Sequence, residues 1–192
     1  MWALSRKAAR ATLVAVGLAL GLPSPGHAAD WTVTLQTGQV WAAPETVTYH
    51  HADGRKTRFT LQPEAQEWSR PIYWSMRIGR FSGDAGWELE LMHDKLIERD
   101  TPAAIDQFEI THGYNHIWLN RAWRGETFTY RLGLGPVLAH PTIDADGRSD
   151  SPTRPSFLKD TYMEGSQIGG ITAQAGIQTA FRLGWGVAFS LE

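Results

Sequence analysis

Along Gly86–Glu98, GWELELMHDKLIE, apolar and polar positions alternate from Trp87 to Leu91. Trp87, Leu89 and Leu91 fall on one face, and Glu88, Glu90, Met92 and Asp94 on the other. A period of two predicts a strand with one greasy and one charged side. Gln107–Arg124 alternates in the same way, with Phe108, Ile110, Tyr114 and Trp118 set against Glu109, Thr111, Gly113 and Asn115. The turn Arg124-Gly125-Glu126 leads into TFTYRLGLG, which sets Phe128, Tyr130, Leu132 and Leu134 against Thr129, Arg131, Gly133 and Gly135. Trp31–Trp41, Ile72–Phe81, Ile168–Phe181 and Trp185–Glu192 repeat the pattern. The chain therefore reads as all-β, with seven predicted strands.

Between them, Ala42–Pro71 is long and polar, and Asp53-Gly54 predicts a small hairpin inside it. Arg99–Asp106 is a shorter link, and His140–Gly165, rich in Pro and Asp, reads as an irregular loop. The longer connections follow the first, third and fifth strands, and the others are tight. That asymmetry, with long strands and aromatics near their ends, is the pattern of an outer-membrane barrel whose N-terminus is periplasmic. The polar faces carry Gln36, Arg77, Glu88, Glu90, Asp94, Glu109, Asn115, Arg131, Gln174 and Gln178. Carboxylates, arginines and glycines together suit a narrow lumen, where charges pair and crowded positions need small residues.

The expected fold is an eight-stranded antiparallel transmembrane barrel, monomeric when complete. Seven strands are visible, so the closing strand is expected to be missing from this chain, beyond Glu192. An open strand edge inside lipid leaves backbone groups unpaired. On this reading residues 30–192 are an outer-membrane β-barrel domain truncated at its C-terminus.

Composition adds a compartment. Met1–Ala29 has the form of a cleaved export signal, with basic Arg6, Lys7 and Arg10, an apolar run Ala11–Leu22, then prolines and small residues. The run is too short before two prolines to span a bilayer as a helix. Removing it shifts the formal charge from −2 to −5, because its three charges are all basic. No basic stripe remains, which excludes nucleic acid as a partner. The absence of cysteine excludes a disulfide framework. Localisation in a bacterial outer membrane follows as the expectation, with outer-membrane lipid and the barrel-assembly machinery as partners.

Chemistry-bearing residues collect near the ends of the middle strands. His93 and Asp94 close the third strand's pattern, His112 and His116 lie on the fourth, and His140 opens the last long loop. Four residues along a strand separate His112 from His116 by about 13 Å, too far to share a metal directly. If the third to fifth strands pair in order, His93, Asp94, His112 and His140 converge at the outer rim. His50 and His51 beside the predicted hairpin turn read as surface residues. Asp144–Asp150 has the spacing of a calcium loop without its glutamate or flanking helices, and reads as a turn.

The phrases YWSMRIGRF, GWELELMHDKL, IDQFEITHGYNHIWLNRAWR, YRLGLGPVLAHP and AGIQTAFRLGWGVAFSLE resemble the small outer-membrane β-barrels related to rhizobial lipid A oxidase. The similarity runs from about Ile72 to Glu192. Its most specific pieces are Met92-His93-Asp94-Lys95, Phe108…His112-Gly113…Asn115 and Gly133-Leu134-Gly135…His140-Pro141. The resemblance implies oxidation of the proximal glucosamine of lipid A by oxygen with a divalent metal, at the outer leaflet. It marks His93, Lys95, His112 and His140 as catalytic candidates, and His93, Asp94 and His112 as metal ligands. The competing expectation is a noncatalytic structural or surface-display barrel. A lipid A acyl hydrolase would need a Ser–His pairing that Ser82 and Ser190 do not offer, and a soluble sandwich would not invert the polarity.

Overall fold

The computed structural model describes residues 11–22, 30–51, 53–62, 73–98, 101–145, 147–150 and 167–192. Twelve strands are present: β1 (Ala11–Leu22), β2 (Asp30–Ala42), β3 (Glu45–His50), β4 (Lys56–Leu61), β5 (Trp74–Ser82) and β6 (Ala85–Glu98), then β7 (Gln107–Arg124), β8 (Phe128–Ala139), β9 (Thr142–Ala145), β10 (Arg148–Asp150), β11 (Gln167–Gly184) and β12 (Val187–Leu191). The long strands after residue 30 pair in the order β2-β5-β6-β7-β8-β11-β12. They form an open, seven-stranded antiparallel sheet curled into a half-barrel, its edges 8 Å apart.

The expected closed eight-stranded transmembrane barrel is thereby corrected: residues 30–192 do not close on themselves. Its edge strands are β2 and β12. Strands stack about 4.8 Å apart, so a gap of this width admits one further strand. β1 lies there, antiparallel to β2 from Ala11↔Ala42 to Leu22↔Trp31 and to β12 from Val16↔Leu191 to Leu20↔Val187. The segment read as an export leader thus holds the seam position between β2 and β12.

An outer-membrane location, and with it outer-membrane lipid, lipid A and assembly-machinery partnership, was expected on the strength of a closed barrel. Residues 30–192, an open half-barrel by themselves, do not supply that support. Among the described residues no helix is long and apolar enough to cross a membrane.

Alternation fixes which side chains the curled sheet encloses. On β5, Ser75 and Arg77 are buried while Trp74 and Ile78 are exposed; on β6, Glu88 and Glu90 are buried while Trp87 and Leu89 are exposed. β7 departs from its expected phase. Trp118 was placed on the greasy outer face, but it is buried inside with His116, Asn120 and Ala122, while Leu119 and Trp123 point out. Tryptophan plugs one end of the interior there, packed with Val40, Tyr73 and Met92.

A bulge between Asp94 and Leu96 shifts the β6–β7 register. Beyond it, Phe108 joins Tyr49, Ile105, Ile143 and Ala145 in a second apolar cluster. Sequence placed Ile143 and Ala145 in an irregular loop. They instead form β9, which pairs with β7 and turns back through Gly147 (φ 71°) into β10. The predicted hairpin is present as β3–β4, closed through Asp53 and Gly54, the latter at φ 90°.

Candidate functional site

The interior is a charge-paired network built by facing strands. Register places Arg77 of β5 opposite Glu90 of β6. Arg77 Nη2 donates to Glu90 Oε1 at 2.9 Å and Nε to Oε2 at 3.1 Å. Glu90 also accepts from Ser75 Oγ at 2.8 Å, Asn120 Nδ2 at 2.8 Å and Gln174 Nε2 at 2.7 Å. Arg131 of β8 donates through Nε to Glu88 Oε2 at 2.9 Å and through Nη2 to Gln178 Oε1 at 2.7 Å. Glu192 bridges the two arginines, at 3.0 Å from Arg77 Nη2 and 2.7 Å from Arg131 Nη1, and accepts from Gln36 Nε2 at 3.0 Å.

Burial alone would raise the Glu90 pKa. The Arg77 charge and hydrogen bonds, helped by Gln174 and Ser75, outweigh it and hold the carboxyl down to about 2. Burial opposes the charge on Arg77, but Glu90, Glu192 and Glu88 outweigh it and push its pKa up. A carboxylate held ionised by this many donors is neither a general acid nor a base near neutral pH. The network is a strut. Its crowding explains the glycines: a Cβ on Gly176 would stand 2.5 Å from Glu192 Oε1, and one on Gly133 would collide with Asn120 Oδ1.

Of these residues, alternation found Gln36, Arg77, Glu88, Glu90, Arg131, Gln174 and Gln178, and missed the roles of Asn120 and Glu192. Asn120 was obscured by the phase error at Trp118. Glu192 lies on the inner phase of Trp185–Glu192, but its two arginines come from strands far away in sequence.

Of the rim residues, the structure describes the side chains of His93, Asp94 and His140. His93 is buried, its Nδ1 2.8 Å from Asn115 Oδ1 and its ring stacked on Trp74 at 5.8 Å between centroids. Asp94, next along β6, is also buried. His140 is half-buried at the end of β8. The side chains of Lys95 and His112 lie outside the described residues. Among the described residues no group of three or more His, Cys, Asp or Glu could hold a metal ion. The divalent metal expected at His93, Asp94 and His112, and the metal-dependent lipid A oxidation built on it, are corrected accordingly.

His116, unassigned by sequence, sits inside the sheet, stacked on Trp118 at 4.8 Å and edge-on to Tyr114 at 4.7 Å. Burial lowers its pKa to about 4, with Glu90 opposing weakly, so the ring is neutral at ordinary pH.

The outer face is the second surface of note. Val33, Ile78, Leu89, Leu119, Leu134 and Ala173 are successive partners across β2, β5, β6, β7, β8 and β11, forming one apolar row. Comparison with family models, curated proteins and solved structures gives no match, so the likeness to the lipid A oxidase family rests on its sequence phrases alone.

Proposed function

We propose that this chain is a noncatalytic structural scaffold whose outer face works covered by the acyl chains of an amphiphile. The observation that carries the reading is inverted polarity. Glu90, Arg77 and Arg131 are no more than 2% exposed, whereas Leu134, Leu89 and Leu119 are more than half exposed. Water-facing proteins bury such leucines, and monomers seldom expose contiguous apolar patches beyond a few hundred Å². Exposed Trp87, Tyr130, Leu132, Ile171 and Ile177 on the same strands widen the apolar surface beyond that row.

The interior supports the structural half of the reading. Its carboxylates are occupied by arginines and amides, which leaves them no role as acid, base or ligand. The reading needs neither ring closure, nor a metal, nor a sugar substrate.

Flotation with phosphatidylcholine vesicles tests it. The wild type is expected to rise with the vesicles. Combining Leu89→Asp, Leu119→Asp and Leu134→Asp should leave the protein in the dense fraction with its β-circular dichroism intact. A wild type that stays monomeric, folded and vesicle-free overturns the reading.

A further inference from the structure

We propose that Ala11–Leu22 is a permanent seam strand of the folded chain, selected by a face code that the β2 and β12 edges impose, and not only a leader. This goes beyond the scaffold reading and does not depend on it, since the outer face could take up amphiphile with the seam filled in another way.

The code is visible once sequence and register are set side by side. The odd positions are Ala11, Leu13, Ala15, Gly17, Ala19 and Gly21, small except for Leu13; the even positions are Thr12, Val14, Val16, Leu18, Leu20 and Leu22. Directly opposed residues of an antiparallel ladder share a face. Thr34, Gln36, Gly38 and Val40, all buried, stand opposite Ala19, Gly17, Ala15 and Leu13. Trp31, Leu35 and Trp41, about half exposed, stand opposite Leu22, Leu18 and Thr12.

The β12 edge reads the segment in the same phase. Buried Ser190 is opposite Gly17, and exposed Phe189 and Leu191 are opposite Leu18 and Val16. Two edges far apart in sequence therefore agree on which positions share the enclosed face. Gln36, one of the residues opposite Gly17, already donates to Glu192, which joins Arg77 to Arg131. On the other side of the seam, Leu20 falls between Val33 and Val187 and carries the apolar row across the gap.

An export leader needs an apolar run but not alternation, because it is read as a helix or extended chain without a fixed face. A strand needs alternation above all, since a slip of one residue exchanges its faces. The edges supply a further reason: an empty seam would leave two rows of backbone N–H and C=O groups unpaired beside an apolar surface.

The absence of cysteine makes the test direct. In the full-length chain, Leu18→Cys is combined with Leu35→Cys, with Phe189→Cys, or with the off-register control Gln39→Cys, then mildly oxidised and analysed by intact mass. The first two pairs are expected to form intrachain disulfides in nearly all molecules, and the control in few. A companion variant, cross-linked through the in-register pair Leu20→Cys with Val33→Cys, exchanges neighbours, Gly17→Leu with Leu18→Gly, which preserves the apolar composition a leader needs but reverses the faces there. It is expected to lower the in-register cross-link yield at least tenfold. Folded protein that begins after residue 22, in-register disulfides that form only between chains, or an exchange variant that cross-links like wild type would each overturn the proposal.

Discussion

Arg77 and Glu90 face each other directly across β5 and β6, joined by two hydrogen bonds of 2.9 and 3.1 Å, and both are almost fully buried. Such a pair has already lost its hydration, so removing one partner strands the other. Replacing Glu90 by Leu should cost about 3–5 kcal/mol of unfolding free energy. The double change Arg77→Met with Glu90→Leu should cost clearly less than the sum of the two single changes. Denaturant titration of the four members of this cycle measures the coupling, and strict additivity would show that the pair is not a unit.

Acid acts through the same carboxylate. Its folded pKa, about 2, lies below the ordinary value of 4.5, so its contribution is fully present above about pH 4.5 and lost as pH falls through 2. Glu90→Gln should flatten the stability profile in that window. A parallel decline in wild type and variant would assign the acid sensitivity elsewhere.

His116 predicts a separate window. The unfolded imidazole titrates near 6.5 and the folded one near 4, so the unfolded chain binds the extra proton first. Stability from the neutral buried ring is complete above pH 6.5 and falls progressively towards pH 4, by up to about 3 kcal/mol. His116→Gln should remove that slope, as read from thermal unfolding at half-unit pH steps.

Gly133 and Gly176 should refuse side chains for a steric reason. A Cβ at either meets Asn120 or Glu192 of the interior network. Gly133→Ala should destabilise by about 1–3 kcal/mol, the usual cost of overpacking. Gly54, where a Cβ would have open space, should instead show the smaller strain of a positive φ. Equal losses at Gly54 and Gly133 would argue against interior crowding.

Much of this architecture was legible because alternation with period two reports directly which face is enclosed. The inner set on β5, β6, β8 and β11 could be read from Arg77, Glu88, Glu90, Arg131 and Gln178. Alternation fails where the inner face is itself apolar. Trp118 closes one end of the interior, and a hydrophobicity pattern assigns such a residue to the outside. It also fails past a bulge, which is why Phe108 joins a cluster with Ile143.

The seam was missed for another reason. Hydrophobicity alone reads Ala11–Leu22 as an apolar run ahead of two prolines, a description that ignores the order of its large and small residues. The rim histidines were suggested by convergence of strand ends. His93 and Asp94 are both buried beside the bulge that begins at Asp94, an irregularity that alternation does not report.

The most direct test of the scaffold reading is the mass of amphiphile that the folded chain carries. Sedimentation equilibrium in density-matched dodecyl maltoside should find one chain with a bound detergent belt comparable to its own mass. Withdrawing the detergent should precipitate the protein. A folded monomer at equilibrium without bound detergent, stable after its removal, would contradict the account at its centre.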